Sequence, residues 1–200
     1  MIIIGAGNLG KHIIDQLEQD NYQGEIIFFD EKHYANMIYN KYSILHSWDD
    51  FYNKLETTDN EFFIALGNPR IREKVLNKVN KGKYTTLISK HAGIVSKYSS
   101  FGNGCLVQPE CCISHNVEMG TSCLLHANTL IGHDVKINDF VTIGSNVNIL
   151  KDVEIGSYTV ISPNSLIYPD VKIGKHVFVE PGAVVKESVE DYQTVKLKND

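Results

Sequence analysis

From Val95 onward, every sixth residue is large and apolar. The column runs Val95, Phe101, Val107, Ile113, Met119 and Leu125, then on through Ile131 and Ile149 to Val179 and Val185. Apolar residues make up 42% of the chain, so sixteen hits in a row would arise by chance on the order of once in a million. A second column, four residues further on, holds small or β-branched side chains: Ser99, Cys105, Cys111, Val117, Cys123 and Thr129 lead through to Ala183 and Val189. Three of its cysteines are expected to act as small apolar residues. Glycine often follows the large residue, as at Gly102, Gly120, Gly132, Gly144, Gly156 and Gly174, which suits a corner with an unusual backbone conformation. A helix repeats near 3.6 residues and a strand near 2, so neither explains a period of six. Short strands joined by regular corners do explain it. They stack as a solenoid whose aliphatic columns form one continuous core.

Residues 1–90 lack this period and read as alternating strands and helices. Ile2-Ile3-Ile4 is a short buried strand, followed by Gly5-Ala6-Gly7-Asn8-Leu9-Gly10 and a helical stretch from Lys11 to Gln19 with Ile13, Ile14 and Leu17 on one face. Further strands are expected at Ile26–Phe29 and Phe62–Leu66, a helix at Arg70–Val79, and Tyr84–Ile88 closes the unit. That order implies a small parallel sheet of Rossmann type. The glycines of the G-x-G-x-x-G stand after a strand and before a helix, where backbone N–H groups can approach a pyrophosphate at the helix N-terminus. Asp30, at the end of the second strand, is placed to hydrogen-bond a ribose or sugar hydroxyl. The bland alternative is a tight turn whose glycines pack helix on strand, with Asn68 merely ending its strand.

The net charge of −5 excludes a general polyanion binder, because no basic excess exists to neutralise phosphates, and nucleic acid is not an expected partner. The opening apolar run is too short for a signal peptide or membrane span, so the expected location is cytoplasmic, with the four cysteines reduced. Cys105, Cys111, Cys112 and Cys123 show no C-x-x-C spacing, which argues against a zinc ribbon or redox pair.

A solenoid's columns are structural, so chemistry belongs to side chains outside them. His133 follows Gly132 at a corner and adjoins Asp134. A neutral imidazole can take a proton near neutral pH, and a carboxylate can fix its tautomer. The alternative is a surface histidine in a corner. His115 lies one coil before His133 and Lys151 one coil after. A zinc site is not expected, since His126 and His133 are seven residues apart and tetrahedral zinc is demanding.

The Gly-rich opening loop, Ile64-Ala65-Leu66-Gly67-Asn68 followed by Arg70, the linker Leu87 to Ala92, and Gly132-His133-Asp134 together resemble the hexapeptide-repeat sugar acyltransferases. That family includes bacterial sialic-acid O-acetyltransferases and nucleotide-amino-sugar N-acetyltransferases. The resemblance covers about residues 1–187. It implies a left-handed parallel β-helix with three hexads per coil, where the general crossover rule would favour a right-handed path. Sixteen hexads then give roughly five coils. It also implies a Rossmann-like nucleotide-sugar-binding domain at 1–90, an acyltransferase domain at 93–187 and a polar tail at 188–200. A homotrimer would hold acetyl-CoA between neighbouring prisms. The resemblance carries the general-base role onto His133, assisted by Asp134, and substrate contacts onto Gly5, Gly7, Asp30, Gly67 and Asn68, with Asn8-Leu9 replacing the more usual loop residues. Thr142 stands where relatives often line the acetyl-CoA groove with histidine, and the common Gly-x-Pro-Ala ending is absent. The expected reaction is N-acetylation of a nucleotide-linked 4-amino-deoxysugar, without a metal. Alternatives are O-acetylation of a sugar or sialic acid, and a non-catalytic nucleotide-sugar-binding trimer.

Overall fold

Each hexad delivers one two-residue strand. In the computed structural model, which describes residues 1–197, Leu106–Val107, Cys112–Ile113 and Glu118–Met119 pair in parallel with the strands beginning at Leu124, Leu130 and Lys136. The repetition builds three parallel sheets of seven, six and five strands, one for each face of a coil. From Leu106–Val107 to Val184–Val185 the second residue of each strand packs into the core and the first faces away from it, although on one sheet Leu106, Leu124 and Thr142 are buried as well. The columns predicted from the sequence make up that core: Val107, Ile113, Leu125, Ile143 and Ile161 are fully buried, with Cys105, Val117, Cys123 and Val141 beside them.

Both ends of the solenoid depart from the strict period. Ile94, not Val95, pairs with Ile113, while Phe101 pairs with Met119, so one extra residue is accommodated between these two strands. Val95 is 68% exposed. Both residues are apolar, and only strand pairing chooses between them. Leu87–Ile88 pairs with Leu106–Val107 and so opens the solenoid instead of closing the N-terminal unit, and the chain divides between Thr85 and Thr86. At the other end Val189 bridges to Ile173, and Thr194–Val195 pairs with Phe178–Val179. Val189 therefore joins the large column instead of the small one, two residues early. The expected separate tail from 188 is, as far as Val195, a continuation of the coils; its residues 198–200 lie outside the described residues.

The corner glycines have a different reason from the expected one. The glycines in the described structure with left-handed φ are Gly5, Gly82, Gly104 and Gly182. Gly102, Gly120, Gly132, Gly144, Gly156 and Gly174 are needed because a Cβ would strike the next coil. The left-handed residue comes two positions later in the hexad: Asp134 and Asn146 follow Gly132 and Gly144, and Ser122, Tyr158 and His176 follow Gly120, Gly156 and Gly174. Asn116, Asn128, Asp152, Asn164 and Asp170 hold the same position in hexads without that glycine, all with φ of 55–64°. Asn and Asp tolerate that region better than other side chains do.

The small column is also more polar than expected. The thiols of Cys105, Cys111 and Cys123 donate to the carbonyls of Gly120, His126 and Asn138 at 3.0, 3.2 and 3.0 Å. The hydroxyls of Thr129, Thr159 and Ser165 do the same to Gly144, Gly174 and Glu180. These carbonyls sit at corners and outside the strand ladder, so the column satisfies them from within the core. Burial pushes the Cys111 thiol above its usual pKa, which keeps it protonated and donating.

The N-terminal unit is an α/β sheet. Its elements are β1 (Ile2–Ile4), α1 (Asn8–Gln19), β2 (Ile27–Phe29), β3 (Met37–Ile38), β4 (Tyr42–Leu45), α2 (Trp48–Leu55), β5 (Glu61–Ile64), α3 (Pro69–Leu76) and β6 (Lys83–Tyr84). The sheet order is β3-β4-β2-β1-β5-β6, with every pairing parallel except β3 with β4. Helix α1 buries Ile13, Ile14 and Leu17 and stops at Asn21, whose φ of 55° allows Tyr22 N–H to reach the Leu17 carbonyl at 2.8 Å. Ser47 caps α2, a helix the sequence patterns did not reveal, and its Phe51 and Leu55 enter the core with Phe29 and Phe62. Among the described residues, no helix is long and apolar enough to cross a membrane.

Candidate active site

His133 stands on the corner between Leu130–Ile131 and Lys136–Ile137. Ile131 and Val135 point into the core and anchor the two sides of that corner. Gly132 permits the stacking, since a Cβ there would lie 2.8 Å from the Leu150 carbonyl carbon and the Lys151 nitrogen. Asp134 supplies the left-handed turn at φ 60°. Two backbone bonds fix the corner to its neighbours: Asp134 N–H to the His115 carbonyl at 3.2 Å, and Asp152 N–H to the His133 carbonyl at 3.1 Å. With the flanking positions inside, His133 and Asp134 are left on the outer surface, their side chains 40% and 38% exposed.

The two side chains meet. His133 Nδ1 lies 2.7 Å from Asp134 Oδ2. The other carboxylate oxygen, Oδ1, accepts from Asn116 Nδ2 at 2.6 Å. The Asn116 hydrogen bond first, and the His133 contact second, hold the Asp134 carboxyl below its ordinary pKa. An ionised Asp134 accepts a proton-bearing Nδ1, which leaves Nε2 of a neutral His133 as the basic nitrogen. Beneath it the His115 ring lies parallel to the His133 ring, 2° apart in tilt and 5.0 Å between centroids. Lys151 in the next coil turns to Asp152 at 3.0 Å. Sequence stepping by one coil found His115 and Lys151 from His133, but the same step taken from Asp134 would have found Asn116.

His115, His133 and Asp134 bring potential ligand atoms within 4.8 Å of one another. Flat stacking 5.0 Å apart does not let both rings turn a nitrogen to one ion at ~2.1 Å, and Asp134 is already engaged on both oxygens. His126 belongs to a different corner, where its Nδ1 lies 3.1 Å from Gln108 Oε1. Thr142 occupies an outward strand position between Leu124 and Val160.

The N-terminal unit holds the remaining predicted residues around the carboxyl ends of β1, β2 and β5. Gly5 has φ 110°, and a Cβ there would meet the Ala65 carbonyl at 2.8 Å. Gly7, the N-cap of α1, has open space where its Cβ would be, and Gly7 and Asn8 are exposed with Leu9 half-buried. Asp30 is occupied within the protein: Oδ2 accepts from Ala6 N–H and Oδ1 from Lys32 N–H, both at 3.0 Å. It thereby ties the end of β2 to the glycine loop. Asn68 caps α3, its Oδ1 accepting from Arg70 and Ile71 N–H at 3.0 and 3.3 Å. The loop Leu66-Gly67 is held from below by Arg72, a buried residue the sequence did not flag, whose Nη1 donates to both carbonyls at 3.0 and 2.8 Å. Gly5 and Asp30 line a cleft of about 450 Å³ together with Trp48, Leu66, Ile71, Lys74 and Lys78. That cleft lies at the strand ends where the order runs outward in both directions from β1.

Residues 1–79 match a family model described as the PglD N-terminal domain, and residues 107–199 match one described as the GMPPB C-terminal domain. No curated protein is significantly similar in sequence. Among solved structures, a histidine-to-asparagine mutant of perosamine N-acetyltransferase from Caulobacter crescentus, in complex with CoA and GDP-perosamine, is 20% identical with a TM-score of 0.87. That match covers 100% of this chain and 96% of that one. The acetyltransferase domain of PglB from Neisseria gonorrhoeae, in complex with acetyl coenzyme A, is 21% identical with a TM-score of 0.86, over 96% of this chain and 93% of that one. The chain has the fold of these acetyltransferases. WeeI from Acinetobacter baumannii is similar too, at 23% identity and a TM-score of 0.71, covering 98% and 95% of the two chains. In this acetyltransferase fold the solenoid is left-handed, as the resemblance implied. The second family match begins inside the solenoid and does not extend into the α/β unit.

Proposed function

We propose that this chain is an acetyl-CoA-dependent N-acetyltransferase acting on the amino group of a nucleotide-linked 4-amino-deoxysugar, with His133 as general base. The observation that carries the reading is the His133 Nδ1 to Asp134 Oδ2 contact of 2.7 Å on an outer corner of the solenoid. It gives an oriented imidazole whose Nε2 can take a proton from an attacking amine. The amine nitrogen bonds to the thioester carbonyl carbon and its proton passes to Nε2. The tetrahedral intermediate then collapses with loss of the C–S bond, and the proton leaves with the CoA sulfur. A backbone N–H near the next coil would stabilise the oxyanion. Thr142 is assigned to the acetyl-CoA groove.

The ligands of the relatives support the two substrates: one holds CoA and GDP-perosamine, another acetyl coenzyme A. The front unit, residues 1–85, is assigned to the nucleotide sugar as a Rossmann-like domain. Five parallel strands in the order β4-β2-β1-β5-β6 support that, since ligands of such sheets sit at the carboxyl ends where the order reverses. Gly5, Gly7, Asn8, Leu9, Asp30, Gly67 and Asn68 are its proposed contacts, Asp30 using lone pairs beyond those given to Ala6 and Lys32. A cytoplasmic location, where the four cysteines would stay reduced, belongs to the same reading.

A homotrimer is part of this reading. One face of the solenoid is charged, with Glu118, Lys136, Glu154 and Lys172 in an alternating row. The next presents Cys112, Leu130, Asn148, Leu166 and Val184, with Leu130 and Val184 40% and 49% exposed. The His133 corner lies between the two faces, so a neighbouring copy packed on the uncharged one would wall the site from that side.

The test is thiol release from acetyl-CoA against UDP-, dTDP- and GDP-linked 4-amino sugars. Release dependent on one amino sugar is expected, and His133→Ala should cut kcat by about 10²–10⁴ with the circular-dichroism spectrum unchanged. Unchanged turnover in that variant would remove His133 from the mechanism. Release only with sugar hydroxyls or sialic acid would replace the amine by an alcohol acceptor.

A further inference from the structure

We infer that Asn116 is a positioning residue of the site, acting on His133 through Asp134. This rests on the proposed acetyl transfer. Asn116 stands one coil before Asp134 and donates Nδ2 to Oδ1 at 2.6 Å, while Oδ2 lies 2.7 Å from His133 Nδ1. A carboxylate held at one oxygen by a neutral donor can rotate little about its own bond. Its second oxygen is then fixed toward the imidazole, which selects the tautomer with the proton on Nδ1 and leaves Nε2 basic.

Asn116 is itself held. It has the left-handed φ of 55° that its corner demands, and Asp134 N–H donates to the carbonyl of the preceding residue, His115, at 3.2 Å. Asparagine meets both requirements of the position, tolerance of that φ and a side-chain N–H. Aspartate, which fills the same corner position at Asp134, Asp152 and Asp170, would meet only the first. The His115 ring, flat against His133 at 5.0 Å, limits how far the base can swing. The charged and titratable groups around His133 are Asp134 on its own corner, His115 in the coil before, and Lys151 with Asp152 in the coil after.

The experiment uses the 200-residue chain with Asn116→Gly, Asn116→Asp and His133→Ala. Glycine accepts the left-handed backbone but has no donor, and aspartate keeps the shape but offers an acceptor. Asn116→Gly should lower kcat about 10-fold while both KM values and the melting temperature stay near wild type. Asn116→Asp should lower kcat as well and move the acid limb of kcat/KM upward by roughly one pH unit, because a second carboxylate favours the imidazolium. Imidazole ¹⁵N shifts report the tautomer without any substrate: wild type should carry its proton on Nδ1, and Asn116→Gly should show a mixture. Wild-type kcat, an unshifted acid limb and an unchanged ¹⁵N pattern in both Asn116 variants, with His133→Ala inactive, would overturn the inference alone. Full activity of His133→Ala would instead overturn the reading of His133 on which it rests.

Discussion

Asp134 meets three demands at one position: a left-handed φ, an acceptor for Asn116 and an acceptor for His133. Its lowered pKa has a direct consequence for pH dependence. A carboxyl depressed in the folded state contributes its stabilisation above the unfolded pKa and loses it as pH falls through the folded one. For Asp134 that window lies below about pH 4. A change of activity above that window should therefore not follow Asp134. In Asp134→Asn the rate should fall by ~10² or more, since an amide does not hold the imidazole tautomer as a carboxylate does. Equal kcat for that variant and wild type would show that the pair is ornamental. Arg72 poses a different problem at this scale. It is fully buried and its guanidinium reaches two loop carbonyls. Replacement by methionine keeps the packing and strands both carbonyls, so a loss of about 3 kcal/mol is expected in urea unfolding. A shift under 0.5 kcal/mol would mean that the loop rearranges to find water.

At the scale of elements, two-residue strands cannot stand alone, and the corners decide whether they stack. A methyl at Gly132 would collide with the backbone of Leu150 and Lys151, which cannot move without breaking the ladder. Gly132→Ala is predicted to cost about 1–3 kcal/mol by overpacking, read as a fall in melting temperature. The small column makes a complementary prediction. Thr159 Oγ1 donates to the Gly174 carbonyl at 2.7 Å and accepts from Val177 N–H at 3.1 Å. Thr159→Val retains the volume and removes both bonds, so it should destabilise by about 1–3 kcal/mol. A neutral result would reassign the column to packing alone, as the sequence first suggested. In the front unit the local signals were uneven. The helix expected at Arg70–Val79 was found as α3, its Asn68 cap and Pro69 start seen only in the structure, whereas α2 and the β3–β4 pair carried no pattern beyond Ser47 and Asp50, which only their folded contacts make meaningful.

For the molecule as a whole, the chemistry of the faces bears on the proposed trimer. Alternating Glu and Lys keep one face in water, with Lys136 and Lys172 only 3.9 and 3.8 Å from Glu118 and Glu154. Such exposed pairs add little stability but make the face a poor interface. Light scattering should give three times the chain mass of 22.5 kDa. Leu130→Asp on the uncharged face should reduce that to one chain, while Glu154→Gln on the charged face should not. A wild-type monomer of full activity would sink the trimer and with it the idea that a neighbour walls the His133 corner.

The hexad alone determined that this chain winds into a solenoid, because a period of six fixes which side chains stack and leaves the backbone no other way to bury them all. It also placed His133 outside the core, since Ile131 and Val135 had already taken the inward positions on either side. The register at both ends was decided only in three dimensions. Ile94 and Val95 are equally apolar, Val189 suits either column, and strand pairing makes the choice. The same holds for the chain of contacts from Asn116 through Asp134 to His133, and for Arg72 beneath its loop. These are meetings of side chains across coils or under a turn, and a pattern read along one dimension records spacing but not the direction in which a side chain points.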